Sequence, residues 1–350
     1  MSTRQIETAH TLPASYYTDP SEIDREHEYV FSRTWQLVGR TDQLPDEGSY
    51  FTVTVGSEPI IVCRDGAGEL RALSAVCRHR AGPVATGTGR RRAFVCGYHG
   101  WTYGLDGTLK GTPEIEGVRN FQRSDFCLPS FRLATIGSLV FVNLSGTAPP
   151  IEDVFGEITP LVVRALDGGC VPAFRRDWEI NCNWKVYVDN YLEGYHIPIV
   201  HPGLFRELDY SKYRTETHDW HSEQVAPVKQ PDRIRVTDEM RDARYFWVYP
   251  NLMVNIYADN LSTNLVLPLG QDRTLTIFEW FFRNPDDDAT QRLIDETVAF
   301  SDEVQLEDIS ICEAVQRGLR APSYEAGRYS VRRENGVFHF HQLYRNAMER

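Results

Sequence analysis

Two short stretches pair a thiol with an imidazole: Cys77-Arg78-His79 and Cys96-Gly97-Tyr98-His99, with sixteen residues between His79 and Cys96. Two Cys and two His could hold a tetrahedral zinc. Zinc fingers, however, keep Cys with Cys and His with His. Here each stretch offers one thiolate and one imidazole, which suits a two-iron, two-sulfide cluster with both thiolates on one iron and both imidazoles on the other. Neutral imidazoles in place of thiolates raise the cluster potential. Gly82, Gly97 and Gly100 flank the ligands and let backbone N–H groups approach the sulfides.

A second constellation lies in Asn183–Leu204. Glu193 and His196 are three apart and share a face of the helix expected over Asn183–Tyr195, and His201 follows beyond Pro198. Two His and one carboxylate form a facial triad that holds ferrous iron with open positions for O2 and substrate. The carboxylate must come from elsewhere. A long helix, about Ala289–Arg317, shows an apolar face at Ile294, Val298, Val304, Ile311, Cys312, Val315 and Leu319, and Asp308 falls on it. A core-facing carboxylate is costly unless paired or metal-bound, so Asp308 is the expected ligand, with Glu307 and Glu313 pointing away.

The surrounding chain must position these groups. Residues 1–35 read as an arm that becomes helical after Pro20. Residues 36–148 alternate short apolar stretches with Gly turns, including Asp65-Gly66 and Asp106-Gly107, as in an antiparallel all-β domain. After Pro149-Pro150, residues 149–350 mix helices with a large antiparallel sheet, and Val337–Tyr344 reads as closing that sheet or its trailing edge. The fold class expected is α+β.

Composition narrows the function. Charged residues are 25% of the 350, and 37 basic against 49 acidic side chains give −12, so a broad nucleic-acid surface is excluded. Apolar runs are too short to span a membrane, and the polar opening MSTRQIETAH lacks the core of a secretory signal. Seven cysteines, an odd number, fit reduced thiols in the cytoplasm. His218-Asp219-Trp220-His221 and His339-Phe340-His341 lack a third ligand at fitting spacing and read as surface or sheet histidines. Arg90-Arg91-Arg92 reads as a solvated turn.

Taken in order, CRHR…CGYHGW at 77–101, DNYLEGYHIPIVH at 189–201 and QLEDISICEAVQRGL at 305–319 resemble the terminal (α) subunit of the Rieske non-haem iron oxygenases, over nearly the whole chain. Gly97 stands where many members have Pro. The resemblance implies an all-β Rieske [2Fe–2S] domain inserted in a helix-grip (START-like) catalytic domain. It also implies a homotrimer, or a dimer of trimers, in which one subunit's cluster feeds the next subunit's Fe(II). Glu193 would bridge the two centres by linking His196 to a Rieske His of the neighbour, with Asp189 a secondary candidate. O2 and a small-molecule substrate would be partners, and NAD(P)H would act only through a flavin- or ferredoxin-type reductase. VYPNLMVNIYADNLSTNLVLPLG at 248–270 is similar to the choline and carnitine monooxygenase-like branch. A quaternary ammonium or N-methyl substrate would sit against aromatic faces, with Tyr187, Tyr191, Tyr195, Trp247, Tyr249 and Tyr257 as candidates. The alternatives are ring hydroxylation of a small aromatic compound and, more remotely, an electron carrier with an inactive catalytic half.

Overall fold

The computed structural model describes residues 3–229, 233–237 and 241–349. The chain forms two compact units, Glu26–Pro149 and, together, Met1–Arg25 with Pro150–Arg350.

The first unit is built on a seven-stranded antiparallel sheet and a three-stranded one. Its strands are β1 (Gln36–Arg40), β2 (Ser49–Val55), β3 (Glu58–Arg64), β4 (Leu70–Ser74), β5 (Thr88–Arg90), β6 (Phe94–Val95), β7 (Thr102–Tyr103), β8 (Leu109–Gly111), β9 (Ser130–Ile136) and β10 (Leu139–Asn143). The large sheet runs β1-β10-β9-β4-β3-β2-β5. The apolar run of β3 follows from its central place. Side chains alternate between faces, so Ile61 and Cys63 join one core with Tyr50 and Leu73, while Ile60 and Val62 join the other with Phe51 and Ala72. The first core also contains Cys77, Cys96, Trp101 and Tyr103, so this face of the sheet carries the thiol-bearing loops. Both Asp-Gly turns form. Asp65 Oδ1 accepts the Ala67 and Glu69 N–H groups, and Asp106 Oδ1 accepts that of Thr108 beside Gly107 at φ 82°.

The second unit holds another seven-stranded antiparallel sheet. Its strands are β11 (Cys170–Ile180), β12 (Arg214–Thr217), β13 (His221–Pro227), β14 (Asp242–Val248), β15 (Leu252–Ile256), β16 (Asn260–Gly270) and β17 (Arg273–Arg283), in the order β11-β17-β16-β15-β14-β13-β12. Three N-terminal helices are α1 (Thr3–Ile6), α2 (Ser15–Thr18) and α3 (Ser21–Tyr29); the unit boundary falls within α3. The others are α4 (Ile151–Phe155), α5 (Ile158–Asp167), α6 (Trp184–Tyr191), α7 (Ile197–Val200), α8 (Pro202–Glu207), α9 (Asp288–Leu319) and α10 (Asn335–Met348).

Helix α9 lies against the sheet and α6 through polar as well as apolar groups. Its buried line is Ile294, Val298, Gln305, Cys312, Gln316 and Leu319, whereas Val315, expected on that face, is exposed. Gln305 accepts the Tyr187 hydroxyl at 2.6 Å and donates to Thr276 at 3.3 Å, and Gln316 accepts the Asn183 N–H. Satisfied amides of this kind tolerate burial.

The C-terminal segment corrects the sequence reading. Val337–Tyr344 belongs to α10 and closes no sheet edge. Its VFHFH alternation imitates a strand, but Val337, Phe340, His341, Tyr344 and Met348 recur at helical spacing and are buried, as is Phe338. His339 and His341 are therefore buried helix residues.

Burial first, then His221 and His218, push the His339 imidazole down to about 4, against opposing effects of the Asp219 backbone and carboxylate. The folded chain keeps this ring neutral while the unfolded chain protonates it near 6.5. Its contribution is thus present above pH 6.5 and is lost as pH falls towards 4. The loss is on the order of 3 kcal/mol. Urea unfolding of His339→Gln between pH 7 and 4 should show a shallower decline than the parent, and parallel curves would refute this.

Candidate metal centres

Cys77 and Cys96 occupy matching turns. In each, the N–H four residues on (Ala81 or Gly100) donates to the Cys carbonyl at 3.0 Å. Each Cys N–H in turn donates to the residue five on, Gly82 at 2.8 Å or Trp101 at 2.9 Å. Ala81 and Gly100 have φ of 53° and 72°, the left-handed conformation that closes such a turn. The loops interlock: a Cβ on Gly82 would lie 3.0 Å from Cys96 Sγ. Both thiols are buried and both imidazoles exposed. The His79 and His99 rings are 4.6 Å apart, and Trp101 stacks on His79 at 4.8 Å and 7°. Tyr103 Oη lies 3.3 Å from Cys77 Sγ and accepts the Arg78 N–H at 3.0 Å. Desolvation, His79 and Arg80 lower the His99 pKa, which favours the neutral imidazole a metal needs.

In the other unit, α6 ends at Tyr191, so Glu193 and His196 do not share a helix face. They sit in the turn between α6 and α7. Pro198 cannot continue the helix, because its ring would strike the carbonyl four residues back, but it fits the first turn of a new one. Glu193 serves that new start: Oε2 accepts the N–H groups of Tyr195 and His196, and Oε1 lies 2.6 Å from His196 Nδ1. Gly194 is required here, since a Cβ would come within 2.6 Å of the Tyr213 ring.

His196, His201 and Asp308 converge, with one ligand atom from each lying within 4.8 Å of the others. His201 is 1% exposed. Its Nε2 lies 2.9 Å from Asp308 Oδ1 and its Nδ1 lies 2.7 Å from Glu307. His196 Nε2 is 3.8 Å from the same Asp308 oxygen. Each imidazole thus has a carboxylate behind its Nδ1, which holds the proton there and turns the Nε2 lone pair towards Asp308. Burial lowers the His201 pKa, but Asp308 and Glu307 outweigh it and raise it. A ring clasped by two carboxylates calls for a cation between Nε2 and Asp308, either a proton or a metal ion.

Two partners escaped the sequence reading. Glu307 was expected to point away but hydrogen-bonds His201, because that ring sits where two neighbouring positions of α9 both reach it. Asn190 donates to Asp308 Oδ1 at 2.6 Å. Glu313 does point elsewhere, to Asn181. Asp189 accepts from Tyr17 at 2.6 Å and pairs with His341 at 2.8 Å, so its oxygens are committed.

A cavity of about 170 Å³, open to solvent, is lined by His196, His201 and Asp308. Of the candidate aromatics, Tyr187, Tyr191 and Tyr257 line it; Tyr195 is exposed, and Trp247 and Tyr249 are buried in the core away from it. Tyr213, Tyr245, Phe278 and Trp280 complete the aromatic wall. Burial raises the pKa of Tyr191, Tyr213 and Tyr245 and brings Tyr257 to about 12, so the wall is uncharged at neutral pH. Asp259 also lines the cavity, and its Oδ2 accepts no hydrogen bond among the described residues; Arg235 Nε stands 3.7 Å away.

Residues 34–122 match the Rieske [2Fe–2S] domain, and residues 169–350 match the ring hydroxylating alpha subunit catalytic domain. The chain belongs to the Rieske non-haem iron oxygenases. As such an alpha subunit, it takes a Rieske cluster, a mononuclear iron, O2 and a small-molecule substrate, and it is an oxidoreductase. This Rieske oxygenase is 38% identical to the chloroplastic choline monooxygenase of Arabidopsis thaliana, over 97% of the chain and 83% of the relative. It is 30% identical to the carnitine monooxygenase oxygenase subunit of Escherichia coli K12, over 96% and 93%. A solved quaternary ammonium Rieske monooxygenase in complex with L-carnitine superposes with a TM-score of 0.82 at 26% identity, over 99% of both chains. The α+β fold, an all-β Rieske domain with a helix-grip catalytic domain, is that of these oxygenases. Among the described residues no helix is long and apolar enough to cross a membrane.

Proposed function

We propose that this Rieske oxygenase hydroxylates a quaternary ammonium or N-methyl compound. The observation that carries the reading is the uncharged tyrosine wall with the Asp259 carboxylate, whose Oδ2 accepts no hydrogen bond among the described residues, in the cavity that also holds His196, His201 and Asp308. Ring faces attract a desolvated ammonium by about 0.5–2 kcal/mol each, and Asp259 adds a counter-charge. Arg233, which would anchor an aromatic acid, is already paired with Glu303, and Arg235 with Glu296 and, at 3.7 Å, with Asp259.

In this reading Cys77, His79, Cys96 and His99 hold the cluster, and His196, His201 and Asp308 hold the mononuclear iron. The iron, when bound, supplies the O2 chemistry. Glu193 and Glu307 fix the tautomers of the two iron-ligand imidazoles. The tyrosine wall orients an N-methyl carbon towards the three ligands and excludes bulk water. Hydroxylation of that carbon gives a carbinolamine, which collapses to the demethylated amine and formaldehyde. Electrons come from NAD(P)H through a separate flavin- or ferredoxin-type reductase. They pass between subunits of a homotrimer, or dimer of trimers, at Glu193, whose carboxylate already contacts His196. Asp189, tied to Tyr17 and His341, serves packing instead. The unpaired cysteines suit the cytoplasm.

A single-turnover screen tests the substrate class. The reduced protein is mixed with O2 and either choline, carnitine and glycine betaine or benzoate, salicylate and naphthalene, with products read by mass spectrometry. Oxygenation of an ammonium compound or release of formaldehyde is expected, and ring hydroxylation with inert ammonium compounds would overturn the reading. Asp259→Asn should raise KM for the cationic substrate about tenfold, or ~1.4 kcal/mol, and leave binding of a neutral isostere unchanged. Equal losses for both would remove Asp259 from cation recognition.

A further inference from the structure

His218 and His221 gain in the folded chain the third ligand that sequence spacing did not offer. Glu157, at the start of α5, reaches the turn between β12 and β13. Its Oε1 is 2.9 Å from His218 Nε2 and its Oε2 is 3.1 Å from His221 Nε2. One ligand atom from each of the three lies within 4.8 Å of the others.

Several features show that the site is built. His221 is 3% exposed. Its Nδ1 lies 3.0 Å from the Val154 carbonyl, which can only accept, so Nδ1 carries a proton and Nε2 faces Glu157. That Nε2 is buried and has no directed hydrogen bond, and the same holds for His218 Nε2. Each Nε2 thus faces a carboxylate oxygen at about 3 Å, an arrangement that calls for a cation between them, either a proton or a metal ion. Ligand atoms sharing one metal ion stand at about this separation, given bonds of roughly 2.0–2.2 Å to zinc. A backbone carbonyl behind the non-ligating nitrogen is the usual support of a metal-bound imidazole. Gly156, at φ 49°, makes room for the ring: a Cβ there would sit 3.0 Å from His221 Cε1. The two imidazoles are stacked 4.5 Å apart and 16° from parallel. His218, whose side chain is 36% exposed, is free to tilt and bring both Nε2 atoms onto one ion.

We propose that Glu157, His218 and His221 form a second, structural site for a borderline divalent transition metal such as Zn²⁺, with water completing the coordination. It shares no residue with the His196, His201, Asp308 centre. The ion would pin the α4–α5 junction to the β12–β13 hairpin, and two imidazoles with one carboxylate suit zinc better than calcium or magnesium.

The test titrates Zn²⁺ into the full-length, iron-loaded protein against a chromophoric chelator, with iron content and cluster absorbance followed in parallel. One zinc per chain should bind without displacing iron and should raise the melting temperature. His221→Gln, at a buried position, can fail to fold; Glu157→Gln and His218→Gln change partly exposed side chains and serve instead. Each should weaken zinc binding at least tenfold and abolish the thermal shift, with iron content and cluster absorbance unchanged. No zinc uptake beyond iron displacement in the parent, or equal uptake in both variants and the parent, would overturn the proposal.

Discussion

His201→Ala is expected to reduce turnover by roughly a thousandfold or more and to remove the mononuclear iron while leaving the cluster absorption intact. The magnitude rests on position. A supporting group behind a metal ligand is worth about 10–100-fold in affinity or activity, and a ligand itself is worth more. His201 is also the most buried of the three converging groups, and its ring stands between Asp308 and Glu307. Alanine leaves the Glu307 and Asp308 carboxylates without the ring between them, with Asn190 still donating to Asp308, so the site loses a ligand and gains repulsion. The protein should retain the two irons of its cluster and little of the third, as elemental analysis would read. Full iron occupancy with wild-type turnover would show that His201 is not a ligand.

Glu193→Gln should lower steady-state turnover about 10–100-fold with both metal centres retained. Glutamine keeps the length and an acceptor oxygen for the N–H groups of Tyr195 and His196, but it loses the charge that pairs with His196 Nδ1. The informative measurement is stopped-flow oxidation of the pre-reduced cluster on mixing with substrate and O2. If Glu193 links the centres, oxidation of the cluster slows by the same factor as turnover. Loss of iron with an unchanged rate in the loaded fraction would make Glu193 a positioning residue only. Asp189→Asn is the contrast: it weakens the contacts to Tyr17 and His341, so it should lower thermal stability and spare the electron-transfer rate.

How much of this was legible in the chain follows from how each contact is made. Residues a few positions apart are held together by covalent geometry and turn chemistry. The pairs Cys77/His79 and Cys96/His99, and the run Glu193, His196, His201, were therefore readable from spacing alone, and the Gly and Pro residues beside them marked the turns. Asp308 could be reached from its place on one face of a long helix. Strands β14 to β17 could be read from short stretches rich in aromatic and apolar residues between turn signals, although only β17 alternates in burial. The turn at Glu193–His196 could not, because spacing of three fits a helix and a capped turn equally.

Tertiary structure decided the rest. Glu307 meets His201 across 106 residues, and that both adjacent carboxylates reach the ring depends on the rotation of α9 against the His196–His201 loop. The α10 segment alternates like a strand, and only burial on more than one side reveals a helix. The wall of the cavity beside His196, His201 and Asp308 depends on which alternate side chains of β14 to β17 face α9, hence on sheet register, since a one-residue slip turns Tyr245 and Trp280 outward. Glu157 meets His218 and His221 only because α5 begins beside the β12–β13 hairpin. Sequence alone determined the local grouping of these side chains, because short covalent paths constrain them. The fold chose their carboxylate partners, because packing at long sequence separation has no counterpart in local spacing.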